Sequence, residues 1–556
     1  MKEAHSEKLH LQNSGEDVYS YEVELEGSDT NTDAIQKNFF SYFRYISRRL
    51  DSFGVETRGI ERVPSYERST NVRRQFLLAC GLWLSAAGGL SSMSVFFLGP
   101  LLFDLSLRQS LIAGQIPQLI GCAVAAYLSL MGPKSGCRQM VGARYLFGWY
   151  FVRLIALCAI IGVIGWSVVN SVVGGQILNS VSDGKVSLVV GIIIICVISL
   201  VVAVFGIKQV LKVEMLLSLP VFLGFMLLYI CAAWKYGSFV TVDSTPDHET
   251  TIGNSFSFAS VAYSTTATWG SISADYYLLF PEDTSDTYIF MLTFFGLALP
   301  TTFVSVLGTL IGNIALGYQP WGDVYNTTGM GGLLHQAFIH WGKVGKFFVM
   351  LLFLSLISNN IINNYSAAFG IQLASSWLRK IPRWFWAIIV TCITLVGALV
   401  GRNEFSTILG NFLPMIGYWI SMYFVLLLEE NTIFRTARFH HLYTKEFPAG
   451  VDSTIEEEKP SSTGRYALSL RRKKQYYNWN CWNDQSRLTH GLAATFSSVV
   501  GAVGAALGMS QAYYVGPIAK AVGGEFGGDV GMWVCMGIAG LLYPPLRYLE
   551  LKRFGR

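Results

Sequence analysis

Two stretches, Ser85-Ala86-Ala87-Gly88-Gly89-Leu90-Ser91-Ser92 and Ser264-Thr265-Thr266-Ala267-Thr268-Trp269-Gly270-Ser271, decide the fold. Each sits in the middle of a long apolar run. Their residues weaken a helix: glycine carries a backbone entropy cost, and serine and threonine compete for backbone groups. Taken singly, either stretch reads as a tight packing surface between helices. Taken together, five spans apart, they read as two interrupted spans. Interrupted spans at corresponding positions of two halves point to an inverted-repeat transporter with a binding site near the bilayer midplane.

The rest of the chain supplies the frame. Of 556 residues, 52% are hydrophobic and only 14% are charged, which suits a multi-span membrane protein rather than a soluble domain. A bilayer core of about 30 Å needs roughly 20 apolar residues per helix. Twelve such stretches are expected: span 1 at 76–103, span 2 at 110–131, span 3 at 151–178, span 4 at 186–206, span 5 at 212–234 and span 6 at 255–280. Span 7 follows at 288–316, span 8 at 346–374, span 9 at 384–401, span 10 at 405–428, span 11 at 489–514 and span 12 at 529–546. The fold class is therefore an all-α membrane protein of twelve transmembrane helices, a 5+5 inverted repeat followed by two more.

The expected organisation is a disordered, acidic cytoplasmic tail over 1–70 and a ten-helix transport core over 75–428, broken in spans 1 and 6. A cytoplasmic loop follows at 429–487, then the two additional helices over 488–546 and a cytoplasmic end at 547–556. Basic residues set the orientation. Arg73 and Arg74 precede span 1, Lys134, Arg138 and Arg144 join spans 2 and 3, Arg379, Lys380 and Arg383 join spans 8 and 9, and Arg547, Lys552, Arg553 and Arg556 lie at the end of the chain. With twelve spans these all fall on one side, so both termini are expected in the cytoplasm. The sequon Asn326-Thr327-Thr328 falls on the opposite side, where glycosylation of Asn326 would be possible. The net charge of +5 belongs to these flanks and implies a lipid bilayer, not nucleic acid, as the partner. The nine cysteines lie mostly inside spans and show no disulfide framework.

Span 8 carries four amides in an apolar run, Ser358-Asn359-Asn360-Ile361-Ile362-Asn363-Asn364. An unpaired buried amide costs roughly 2–7 kcal/mol, so these must face partners, a cavity or a ligand. Helical spacing puts Asn359 and Asn363 on one face and Asn360 and Asn364 on another about 100° round. Asn359 and Asn360 are expected to meet a ligand, with Asn363 and Asn364 as contacts between helices. On span 3, Trp166, Asn170 and Gly174 form a single stripe, half of a slot for a flat ring. Trp269, inside the interrupted part of span 6, could cover the other face of that ring. Asp275 is a rare acid near the end of span 6. It reads equally as a group sensing proton or cation occupancy and as an interfacial charge. No metal cluster, P-loop or nucleophile triad is present in the sequence, so neither an enzyme nor an ATP-driven pump is expected, and no cofactor is implied.

Gly165-Trp166-Ser167-Val168-Val169-Asn170, Ser273-Ala274-Asp275-Tyr276, Ser358-Asn359-Asn360-Ile361 and Gly136-Cys137-Arg138-Gln139-Met140 resemble the fungal purine–cytosine permease family, within the nucleobase–cation symporters. Longer stretches, such as Gly81 to Pro100, Gly162 to Gly175, Thr268 to Asp283 and Phe405 to Phe424, resemble the branch of that family that carries vitamin B6. The resemblance covers about 55–445 and 475–556. It implies two inverted five-helix repeats working by alternating access, with proton-coupled import of pyridoxine, pyridoxal and pyridoxamine at the plasma membrane. It also implies that Trp166 and Trp269 hold a planar heterocycle and that Asn170, Asn359 and Asn360 bond it. A cation site between spans 1 and 8 would fall near Ala87, Leu90 and Ser355. One position departs from the nucleobase pattern, which reads Asn-Asn-Ile-Pro where this chain has Ile362. Losing that proline restores an N–H to the helix and removes a kink, which favours a flat heterocycle other than a nucleobase. The alternatives are a cytosine or purine permease on the same scaffold and, in a different class, a non-transporting nutrient receptor.

Overall fold

A computed structural model describes residues 59–240, 247–447, 476–524 and 526–556, together with Ile46, Arg49, Leu50 and Val55. Most of the tail expected over 1–70, and residues 448–475 of the segment after span 10, lie outside the described residues.

A helix or a broken helix falls on each of the twelve expected stretches. Seven of the described helices are long and apolar enough to cross a membrane, and the bent span 1 makes an eighth. Span 1 runs as Val72–Leu82, a wide π-turn at Trp83–Ala87, and a new helix at Leu90–Phe96, with the two halves bent by 42°. Span 6 runs as a helix over His248–Ala267, then two short 3-10 turns at Thr268–Ser271 and Ser273–Tyr276. The interruptions expected from the small and hydroxylic residues are thus at those residues. Span 8, by contrast, is one helix over Gly342–Ala374, and Ile362 lies fully buried within it. The connection between spans 7 and 8 is not a plain loop. It contains the helix Gln319–Ala337, which turns at Gly329 (φ +69°) and carries Asn326 exposed on its surface.

Packing sorts the spans into two groups. Span 2 lies along spans 6 and 7, and span 7 along the second half of span 1. Span 3 lies along spans 4, 8 and 9. Span 5 bridges the groups, touching the first half of span 1 and span 8. Spans 11 and 12 pair with each other and with span 10. The residues just after span 10 are more deeply packed than the polar composition of 429–487 suggested. Glu430 is buried between the guanidinium groups of Arg435 and Arg547, at 2.9 and 3.1 Å. Glu446 reaches Arg435 at 2.6 Å. Removing one partner from such a buried group leaves an uncompensated charge, so this cluster ties span 12 and the segment after span 10 together.

The break in span 1 requires glycine by close approach. A Cβ on Gly88 would lie 2.5 Å from Pro300 Cβ of span 7, and one on Gly89 would lie 2.7 Å from Ser355 Cβ of span 8. Gly89→Ala should therefore wedge spans 1 and 8 apart, destabilising the fold by about 1–3 kcal/mol. Gly142→Ala, where a Cβ meets nothing within 4 Å, should be nearly neutral. The midpoint of thermal inactivation of the two purified variants, compared with the parent, checks this.

Candidate functional site

The interruption of span 1 breaks the helical hydrogen-bond ladder, and one of the affected pairs is Leu90 with Ala86. In a continuous helix the Leu90 N–H would donate to the Ala86 carbonyl, four residues back. Here the Leu90 N–H donates to Ser355 Oγ at 3.0 Å, and the Ala86 carbonyl accepts from Asn359 Nδ2 at 2.9 Å. Ser355 and Asn359 are one turn apart on span 8. Two side chains of one helix thus replace the missing rung of another.

An amide network grows from that junction. Asn170 on span 3 donates to Asn359 Oδ1 at 2.8 Å and to Asn360 Oδ1 at 3.0 Å, and accepts from Ser91 Oγ of span 1 at 2.6 Å. Asn363 donates to Asn359 Oδ1 at 2.8 Å. Asn360 donates to Ser171 Oγ at 3.2 Å, and Asn364 donates to Thr391 Oγ1 of span 9. Every one of these amides is buried.

A central cavity opens beside this network. Its walls are Ser91 and Ser92 of span 1, Gly162, Val163 and Trp166 of span 3, and Thr265, Thr268, Trp269, Ser271 and Ile272 of span 6. Asn359 and Asn363 of span 8 and Ile416 and Trp419 of span 10 complete it. Trp269 is held edge-on against Trp83, with ring centroids 5.4 Å apart, and Trp83 in turn donates its indole N–H to Tyr277 at 2.9 Å. Broad aromatic faces with a few convergent polar groups suit a small planar ligand.

The expected site residues divide on inspection. Trp166, Trp269 and Asn359 share the central cavity, and Asn170 stands directly behind Asn359. Asn360 points elsewhere. With Asn364 it lines a separate polar crevice against spans 4 and 9, among Ser167, Cys196, Thr391 and Thr394. Asn363, expected to join helices, takes the cavity position instead. Trp419 was not singled out from the sequence at all. Its indole N–H is buried without a partner and it lines the cavity. The signal available was an aromatic at mid-depth of span 10 next to Gly417 and Tyr418.

The expected cation position near Ala87, Leu90 and Ser355 lies within the span 1–span 8 junction. The Ala87 carbonyl accepts from Ser92 Oγ at 2.7 Å, and Ser355 Oγ, besides accepting from Leu90, donates to Leu352 O at 2.7 Å. Asp275 accepts from the Gln139 backbone N–H at 2.6 Å and lines a second cavity together with Arg138 and Ser366. That second cavity shares Val163, Ser271 and Ile272 with the central one. The three side chains lie between the central cavity and the Asp275 end of span 6.

Residues 63–446 match the family of permeases for cytosine/purines, uracil, thiamine and allantoin. The chain belongs to that family. It is 56% identical to the vitamin B6 transporter TPN1 of Saccharomyces cerevisiae over 537 residues, covering 94% of this chain and 92% of the relative. The purine-cytosine permease FCY21 of Saccharomyces cerevisiae is 31% identical, covering 92% of this chain and 90% of the relative. Among solved structures, Mhp1, a nucleobase-cation-symport-1 family transporter in a closed conformation with bromovinylhydantoin bound, superposes with a TM-score of 0.60. It is 14% identical and covers 90% of this chain and 96% of its own. The fold is that of this family, and the chain is a multi-pass membrane transporter, not an enzyme.

The geometry separates two asparagines that composition treats alike. Asn363→Ala, which alters the cavity wall, should raise the KM for substrate at least fivefold. Asn364→Ala, which loses only the Thr391 bond, should leave KM within twofold and lower thermal stability. Uptake kinetics at matched surface level, with thermal inactivation of each variant, read out both.

Proposed function

We propose that this transporter is a plasma-membrane symporter that imports vitamin B6 vitamers together with protons, with both termini in the cytoplasm. The observation that carries the substrate is the 56% identity with the yeast vitamin B6 transporter over nearly the whole chain. The cavity chemistry supports it. A pyridine ring would stack between Trp166 and Trp269. Asn359 and Asn363 would bond its ring nitrogen or phenolic oxygen, while the Ser91, Thr265 and Thr268 hydroxyls reach the hydroxymethyl groups. Asn170 and Asn360 act through Asn359: Asn170 holds its amide, and Asn360 anchors Asn170 from behind. A lost hydrogen bond in a dry site costs about 1–3 kcal/mol, enough to set specificity among flat heterocycles. Two cavities stacked along span 6, parted by the Val163, Ser271 and Ile272 layer, support alternating access, because movement of that layer would join the ligand site to one side only.

A nucleobase permease on the same scaffold is the second reading, favoured by the 31% identity with a purine-cytosine permease. Ile362 argues against it. Span 8 is one unbroken helix through the position where the nucleobase pattern has proline.

Uptake of labelled pyridoxine by cells expressing the chain, with and without a protonophore, tests the proposal. Expected are saturable uptake, at least a tenfold loss with protonophore, and less than twofold inhibition by a hundredfold excess of cytosine or adenine. Strong competition by either base would favour the second reading instead. Asn359→Ala at unchanged surface level should lower uptake tenfold or more.

A further inference from the structure

Glu214 of span 5 is fully buried, with an exposure of 0%. One carboxylate oxygen, Oε2, accepts from Ser85 Oγ of span 1 at 2.6 Å and from Ser358 Oγ of span 8. The other, Oε1, is buried with no hydrogen-bond partner. No arginine, lysine or histidine among the described residues forms an ion pair with it. The elements packed on span 5 bring two hydroxyls and no charge to this carboxyl. The titratable group within its electrostatic reach is the Tyr276 phenol at the end of span 6. Lys208 and Lys212 of its own helix are solvent- or lipid-exposed.

A carboxylate without a counter-charge is costly in a low-dielectric interior, whereas a neutral carboxylic acid is tolerated there. The site therefore resists the charged form unless water reaches it. A transporter opens to water on alternate sides, and that exposure is where a proton can be gained or lost. Asp275, the acid expected from the sequence, is different: it meets a backbone N–H and shares its cavity with Arg138.

The position of Glu214 links its charge to the binding site. Its two partners are Ser85 and Ser358. The very next residues, Ala86 and Asn359, are bonded to each other at 2.9 Å, and Asn359 lines the ligand cavity. The Ser85 hydroxyl has one proton and three acceptors in reach: Glu214 Oε2 at 2.6 Å, and the Gly81 and Leu82 carbonyls of its own helix at 2.9 and 3.3 Å. An ionised Glu214 holds that proton and so ties span 1 to span 5. A protonated one competes less well, and Ser85 can turn back to its own helix.

We propose that Glu214 is the group that carries the coupling proton, and that Ser85 and Ser358 transmit its protonation state to the span 1–span 8 junction beside Asn359. This rests on the proton-symport reading above. It adds a binding site for the proton on Oε1 and a route by which occupancy changes the affinity for substrate.

The full chain in proteoliposomes gives the test. With acid outside, the parent should accumulate labelled pyridoxine, and at equal pH it should exchange labelled for unlabelled pyridoxine. Glu214→Gln, which is neutral at every pH, should lose gradient-driven accumulation at least tenfold while exchange stays within threefold. Glu214→Asp should keep accumulation with a shifted pH profile. Ser85→Ala should retain exchange and weaken the dependence of substrate KM on pH. If Glu214→Gln accumulates pyridoxine in response to the pH gradient as the parent does, the inference is overturned and proton symport stands. Loss of exchange as well as accumulation in Glu214→Gln, at normal thermal stability, also overturns it, because the residue is then a positioning residue for substrate. A parent whose accumulation ignores the pH gradient overturns both readings together.

Discussion

The structure depends on one exchanged hydrogen-bond pair. Where span 1 breaks, the Leu90 N–H and the Ala86 carbonyl give up each other and take Ser355 and Asn359 of span 8. A buried N–H or carbonyl left unpaired in a bilayer would cost several kcal/mol each. The break is therefore tolerated only while span 8 keeps its exact neighbour. That requirement sets the closeness of the two helices, which in turn demands glycine at 89, while span 7 demands it at 88. It also fixes the rotation of span 8, and with it the face on which Asn363 reaches the cavity.

This junction joins the two groups of spans. Span 1 packs with span 7 in one group, and span 8 with span 3 in the other. Any relative movement of the groups must strain or re-form the bonds at residues 85–91. The central cavity, lined by Ser91, and the Glu214 carboxyl, bonded to Ser85, both abut those residues. In the proposed mechanism, binding and protonation would act on the same few hydrogen bonds, which is the physical requirement for coupling: a ligand shifts a conformational equilibrium only through contacts that differ between its states.

Much of this was legible in the sequence because it rests on local chemistry. Gly88-Gly89 and the Ser264–Ser271 run announce helix weakness directly, and a helix is indeed broken at both. The 100° offset between the Asn359–Asn363 and Asn360–Asn364 faces follows from helical spacing, and the two pairs do line different cavities. What spacing cannot supply is the absolute rotation of a helix against its neighbours. That is why Asn360 rather than Asn363 was expected at the ligand. Glu214 escaped notice for a related reason. Set in Lys212-Val213-Glu214-Met215, near the start of a span, it reads as an interfacial charge. Only the tertiary packing shows that it faces inward while Lys212 faces out. The segment after span 10 was hidden because its burial comes from paired charges, Glu430 with Arg435 and Arg547, not from apolar composition.

Ile362 lies fully buried in the helix that joins these features. A proline there would remove the backbone donor of a helix interior and bend the helix away from its carbonyl four residues back, Ser358. Ser358 is the residue that donates to Glu214, and Asn359 follows it. With isoleucine, span 8 is one helix, and the hydroxyl that meets the carboxyl and the amide that lines the cavity sit on successive residues of it. In the proposed mechanism, substrate recognition and proton coupling therefore draw on neighbouring residues of one helix. A proline at position 362 would disturb the stretch of helix that carries both Ser358, which bonds Glu214, and Asn359, which lines the cavity.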